Sequence, residues 1–263
     1  MNTDNVLVPR QEELLKLLNS DNRLSNTDLA TKLAVSSQTI RRDLNKLAKL
    51  GFISRFHGGA TINENIPNDS IFNQGRKIYP REVAYKVEKL KIAKKVAELI
   101  PDGSSVFITI GSTVEKIAHE LINKNLFVIT DSLRVAEILY DQENTKVVLP
   151  SGIVNAANGG IEGPKTISDL SEYQVDFLIT SVGGIYSDGT LLEFTQNAVM
   201  ATKTMMQNAK NIIVACDHSK FTTSAPLKLA TTKDINYLVT DMIPSENMKE
   251  ILEHDNVNIV IAK

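Results

Sequence analysis

The residues best equipped for chemistry lie together in the run Ser36-Ser37-Gln38-Thr39-Ile40-Arg41-Arg42-Asp43-Leu44. A helix that buries Ile40, Leu44 and Leu47 must present Gln38, Arg41, Asn45 and Lys49 on its other side. Gln and Arg read adenine and guanine edges bidentately in a DNA major groove. Arg41 has the helical phase of a base reader, whereas Arg42 and Lys46 fall where phosphates are held. Ser36, Ser37 and Thr39, at the start of the same helix, join the candidate DNA contacts. A merely solvated face is the ordinary fate of two adjacent arginines. The apolar stripe beneath them, and Arg55-Phe56-His57-Gly58-Gly59-Ala60 just downstream, favour DNA contact instead. Arg55 belongs with the contacts, and His57 either touches the minor groove or backbone or packs against the wing that this segment forms. Asp43 is expected to orient an arginine or cap an N–H group.

A second group suits an anion. Gly111-Ser112-Thr113 stands between an apolar strand at 105–110 and a helix at 114–122, where backbone N–H groups and the helix dipole favour negative charge. Other strand ends offer Asp131-Ser132, Ser151-Gly152, Gly183-Gly184 and Asp217-His218-Ser219-Lys220. In a parallel sheet, ligands bind beyond the carboxyl ends of the strands. Small residues, hydroxyls and one lysine there fit a phosphorylated polyol, with Gly111, Ser112, Thr113, Asp131, Ser132, Gly152, Gly184, Asp217 and Lys220 as candidate contacts. The competing reading is a turn that only caps its helix and a lysine exposed in a loop. Cys216, the one cysteine, sits in an apolar strand and reads as core; neither a disulfide nor a Cys-rich metal site is possible. No cofactor or metal is expected.

Two modules have to position these groups. Pro9 can start a first helix burying Leu14, Leu15, Leu17 and Leu18, and Ser25 or Asn26 caps a second with Leu29, Ala30 and Leu33 inward. Ser36 or Ser37 caps the third, which ends near Gly51. Residues 52–56 alternate like a short strand and Gly58-Gly59 forces a turn, so residues 1–60 read as a winged helix-turn-helix. Residues 61–80 are polar, Asn-rich and without period, as in a linker. From 81 to 263 the pattern is α/β with a mainly parallel sheet: helices at 86–100, 114–122 and 133–139 alternate with strands at 105–110, 126–130, 146–149, 177–182, 211–215, 237–240 and 257–261. In the first of those helices, Leu90, Ala93, Val96, Ala97 and Ile100 share a face.

Composition agrees. At 263 residues, 42% apolar and 23% charged, the chain is ordinary for a globular protein, and no apolar run approaches the ~18–20 residues of a membrane span. Met1-Asn2-Thr3-Asp4 lacks the basic and apolar regions of a secretory signal, so a cytoplasmic location is expected. The net charge of −2 is unevenly spread. Residues 1–60 carry nine Lys/Arg against six Asp/Glu, and the remainder 20 against 25, leaving +3 on the first module and −5 on the second. A basic module on an acidic body is what phosphate contact at one end requires.

These stretches resemble the DeoR family of transcriptional repressors over nearly the whole chain. The resemblance rests on Arg10, Leu14 and Leu18, on Ser36-x-x-Thr39-Ile40-Arg41-Arg42-Asp43-Leu44, on the wing-like 55–60 segment, and on Ile100-Pro101-Asp102-Gly103-Ser104 ahead of the first sheet strand. Ser187-Asp188-Gly189-Thr190-Leu191-Leu192-Glu193-Phe194 and Asp217-His218-Ser219-Lys220-Phe221 are similar to the branch that senses glycerol 3-phosphate. What the resemblance implies is a sensor domain akin to ribose-phosphate isomerase, operator DNA as partner, and a homo-oligomer, dimer or tetramer. It implies release from genes of carbohydrate or glycerol metabolism by glycerol 3-phosphate or a sugar phosphate. The departures cluster at the ligand end. Thr109 replaces an Asp, Ser112 a Thr, Asp131 an Asn, Ser151 a Gly and Ser181 a Gly; Ala198, Met200 and Thr202 stand where Glu, Arg and Lys are usual, leaving Lys203 as the cation of that helix. Two rivals stay open: a sugar-phosphate isomerase-like enzyme, disfavoured because Ser181-Val182-Gly183-Gly184 holds no carboxylate base, and a DNA-binding protein whose body senses nothing.

Overall fold

The computed structural model describes residues 9–20, 24–49, 53–56, 58–62, 84–242 and 244–263. They form two compact units, one of the described residues up to Ile62 together with Ala84, and one from Tyr85 onward. Among the described residues no helix is long and apolar enough to cross a membrane.

In the first unit α1 (Pro9–Ser20), α2 (Asn26–Lys32) and α3 (Ser37–Lys49) pack around Leu14, Leu18, Leu29, Ile40, Leu44 and Leu47, all fully buried. Leu17 and Leu33, expected inside, are half-buried at the rim of this core. Ser25 is the cap of α2 and Asn26 its first residue: Ser25 Oγ accepts from Asp28 N at 3.1 Å, and the Asp28 carboxylate accepts from Ser25 N at 3.2 Å. This reciprocal pairing fills two N–H groups that a helix start leaves open. The wing is β2 (Ile53–Phe56) antiparallel to β3 (Gly59–Ile62), and β3 also pairs with β1 (Leu24–Ser25), a strand too short to leave a period in the sequence. Thr61 and Ile62 therefore belong to the wing, although composition groups them with the linker. Phe52, His57 and the rest of the expected linker to residue 80 lie outside the described residues.

The second unit is a seven-stranded parallel sheet of order β15-β14-β12-β9-β4-β5-β6. Its strands are β4 (Ser105–Ile108), β5 (Leu126–Thr130), β6 (Thr145–Val148), β9 (Val175–Thr180), β12 (Ala209–Ala215), β14 (Tyr237–Thr240) and β15 (Asn258–Ile261). Alternation sorts the strand residues into two cores. Val106, Ile108, Val128, Ile179, Ile213 and Ala215 face α4 (Lys86–Leu99), α5 (Ser112–Glu120) and α6 (Leu133–Leu139). Phe107, Ile129, Leu178, Ile212, Val214 and Cys216 face the other way, toward α7 (Pro164–Leu170), α8 (Gln196–Gln207) and α9 (Glu246–His254). A sheet covered on both faces is why its strands read as unbroken apolar runs. Cys216 is fully buried, and burial first, then Asp217, pushes its thiol well above its ordinary value, so it is an inert core residue.

Short elements decorate the carboxyl ends: the hairpin β7 (Ile153–Val154) with β8 (Ile161–Glu162), and a side sheet of β10 (Gly184–Ile185), β11 (Thr190–Glu193) and β13 (Leu227–Thr231). Strand order reverses between β4 and β9. The chain leaves β4 toward β5 and β6 on one side, and leaves β9 toward β12, β14 and β15 on the other. That switch point is where such sheets open a crevice for a ligand.

Candidate nucleic-acid interface and sensor site

Ser36 caps α3: its Oγ accepts from Thr39 N and its carbonyl from Ile40 N, both at 3.1 Å. Ile40, Asp43, Leu44 and Leu47 point inward. Ser37, Gln38, Arg41, Arg42, Asn45 and Lys49 are exposed, with Lys46 and Thr39 half-buried. Gln38, Arg41, Arg42, Asn45, Lys46 and Lys49 border a shallow depression of about 490 Å³. From the wing, Arg55 donates to Asn45 Oδ1, tying the strand to the helix face.

Asp43 does orient an arginine, but not a neighbour in sequence. Its carboxylate accepts from Arg10 Nε at 2.6 Å and Gln11 Nε2 at 2.8 Å, locking α3 to α1. Burial pushes the Asp43 carboxyl up, and the Arg10 and Gln11 hydrogen bonds with the Arg10 charge outweigh it, leaving it below the ordinary value. The exposed arginines thus stand on a helix held from behind.

At the switch point Thr109 Oγ1 donates to Thr180 Oγ1 at 3.1 Å, closing β4 against β9. Gly111 follows at φ +146°, a backbone conformation open to glycine, and leads into α5 with no side chain capping the helix. The first N–H groups of α5 therefore have no side-chain cap. Lys89, on the first turn of α4 and only 4% exposed, sends its Nζ to Ser112 Oγ at 3.2 Å. A buried ammonium and an uncapped helix N-terminus meet at one hydroxyl.

Asp131 ends β5 alongside. Its Oδ1 is buried with no hydrogen-bond partner. Burial, then the charge of Glu162, pushes its pKa up to about 7 against the pull of the backbone N–H groups of Asp131 and Ile110. The 155–160 loop packs over this corner: Ile161 N donates to Asp131 O at 2.7 Å, Leu133 N to Gly159 O at 2.9 Å, and Ser132 pairs with Gly160.

The DeoR C-terminal sensor domain profile matches residues 85–242 and the DeoR-like helix-turn-helix domain profile residues 10–65. The chain belongs to the DeoR family of transcriptional repressors. The HTH-type transcriptional repressor CsqR of Escherichia coli (strain K12) is 42% identical, covering 97% of this chain and 95% of its own. The glycerol-3-phosphate regulon repressor of the same organism is 35% identical over 96% of this chain and 98% of its own. Among solved structures, ribose 5-phosphate isomerase A of Methanocaldococcus jannaschii is similar over 52% of this chain and 55% of its own, at 22% identity and a TM-score of 0.40.

In this DeoR-family protein the expected sensor residues separate by task. Gly111, Ser112 and Thr113 form the α5 turn, and Asp131 and Ser132 stand beside it across the β4–β5 pair. Ser132 Oγ is committed to capping α6, accepting from Val135 N at 3.3 Å. Gly152 and Gly184 answer to packing: a Cβ on Gly152 would sit 2.3 Å from Thr166 Oγ1, and one on Gly184 2.0 Å from the Thr223 carbonyl. Asp217 caps the 3-10 turn His218–Phe221, accepting from Ser219 N at 3.1 Å, and Lys220 is half-buried on that turn. Lys203 is exposed on α8, where Ala198 and Thr202 point inward and Met200 is exposed.

Sequence reasoning missed Lys89. It falls on the apolar stripe of α4, four residues before Ala93 and seven before Val96, and a lysine on a buried stripe was the available signal. That helix also buries Ile92, while Leu90 is only half-buried.

Proposed function

We propose that this protein represses genes of carbohydrate or glycerol metabolism by binding operator DNA through α3 and the wing. A phosphorylated metabolite held at the α5 N-terminus then releases it. The observation that carries the sensor half is the meeting of Lys89 with Ser112 at an uncapped helix start, which supplies an ammonium, a hydroxyl and backbone N–H groups for one phosphate. The relative named for glycerol 3-phosphate supports that ester, or a sugar phosphate, as the effector. Binding is as a homo-oligomer, at least a dimer, so that two recognition helices meet half-sites spaced by the DNA repeat. The effector acts through its differential affinity for the DNA-competent and incompetent arrangements.

The test is fluorescence anisotropy of the protein on DNA from its own upstream region, against a scrambled duplex, at fixed salt. Specific binding is expected for the first duplex and weak, salt-sensitive binding for the second. Equal affinity for both would remove the operator from this reading.

One observation favours a second reading, an isomerase: Asp131 has the near-neutral pKa of a general base. Against it, both oxygens of Glu162 are already held by amides, from Asn155 at 2.9 Å and Asn197 at 2.6 Å. Ribose 5-phosphate should show no aldose–ketose conversion with this protein; turnover that vanishes in Asp131→Asn would install the enzyme instead.

A further inference from the structure

Asp131 is an expensive residue. It is 4% exposed, its Oδ1 has no partner, and the charged group acting on it is another carboxylate, Glu162. Both oxygens of Glu162 accept hydrogen bonds, from Asn155 Nδ2 and Asn197 Nδ2. Those amides satisfy acceptors without supplying a positive charge. A buried carboxylate facing a second one, with an empty acceptor, lacks a cation or a strong donor.

The place where it is lacking is specific. Asp131 follows Thr130, which pairs with Ile108 across β4 and β5, so it stands beside Ile110, the residue immediately before Gly111 and the α5 turn. From Ile110 to Thr113 the chain advances three residues, at most ~10 Å even when extended. A phosphate on the α5 N–H groups and Lys89 would therefore stand within a small molecule's length of the Asp131 carboxylate. The α5 turn with Lys89 suits negative charge, and the unpaired Asp131 Oδ1 suits positive.

Resting on the reading of the α5 turn as a phosphate site, we infer that the effector is an amino-bearing phosphate ester, an aminodeoxy sugar phosphate or a shorter amino-alcohol phosphate, whose ammonium group binds between Asp131 and Glu162. An ammonium fills the empty Oδ1 acceptor with a charge-assisted hydrogen bond and relieves the repulsion between the carboxylates. A hydroxyl at the same position does only the first. Asp131 is then the residue that discriminates amine from alcohol, and the nearby Thr109 is turned to Thr180.

Matched pairs of ligands test this by isothermal titration of the full chain at pH 7: glucosamine 6-phosphate against glucose 6-phosphate, and 2-aminoethyl phosphate against 2-hydroxyethyl phosphate. At least one amine is expected to bind tenfold or more tighter than its alcohol, and the preference should shrink to under threefold in Asp131→Asn, which keeps the shape and removes the charge. Equal affinities within both pairs would overturn the inference while leaving the phosphate site standing, as would an amine preference that survives in Asp131→Asn. If neither these esters nor glycerol 3-phosphate bind at all, the phosphate site falls and the inference with it.

Discussion

Arg41 and Lys49 leave the same exposed face of α3 but should fail in different ways when removed. Arg41→Ala is expected to cost about 1–3 kcal/mol of operator binding and to relax the base preference at one position. Lys49→Ala should weaken all sequences alike and lower the slope of log K against log salt by about one. Salt titrations on operator and scrambled duplexes separate the two; an Arg41→Ala protein with unchanged specificity would remove it from base reading. Asp131 bears on stability instead. Its folded pKa, about 7, lies above the 3.8 of an unperturbed Asp, so the native state holds the extra proton between those values. Stability then falls as pH rises through that window, by on the order of 4 kcal/mol at full ionisation. Asp131→Asn should therefore gain on wild type at pH 8 and nearly match it at pH 4 in urea denaturation; a pH-independent difference would contradict the burial argument. Both residues stood out in the sequence, Arg41 by helical phase and Asp131 by position at a strand end. Lys89 did not, because a lysine among Lys86, Lys91, Lys94 and Lys95 gives no hint of burial until the helix face is fixed.

At the scale of elements, what was legible followed from periodicity. The strand at 237–240 and the helix at 133–139 have the bounds expected of them, since long apolar runs and a clear cap mark their ends. The hairpin β7–β8 and the side sheet β10-β11-β13 escaped, because strands of two residues carry no alternation and their pairing is set by distant partners. Those elements bear on Asp131: β8 pairs Ile161 N with its carbonyl and brings the charge of Glu162 within range, and no local pattern announces that proximity. In the first unit the tie between α3 and α1 was equally silent, since Asp43 finds Arg10 and Gln11 more than thirty positions away. Asp43→Ala removes the acceptor shared by Arg10 and Gln11 and should cost about 1–3 kcal/mol. A several-degree drop in the melting of this unit is expected, with the sensor unit's transition unmoved. No change would mean that the apolar core alone fixes the recognition helix.

Over the whole molecule, the first module is basic and reads as the DNA module, and the acidic remainder holds the uncapped α5 turn that we propose as the anion site. An acidic body repels DNA everywhere except at the module meant to touch it. The sequence showed this division plainly, through charge and through the change from helical to alternating pattern. The chemistry of the effector was far less visible, since it depends on which side chains the switch point gathers. The most direct measurement is operator affinity by anisotropy, with and without glycerol 3-phosphate and the matched amine and alcohol esters, for wild type and for Lys89→Gln. Wild type should lose at least tenfold in DNA affinity with one or more of these esters, while Lys89→Gln keeps its operator affinity and responds to none. A wild-type protein indifferent to every ester, or a Lys89→Gln protein released as readily as wild type, would contradict a sensor built on the α5 turn.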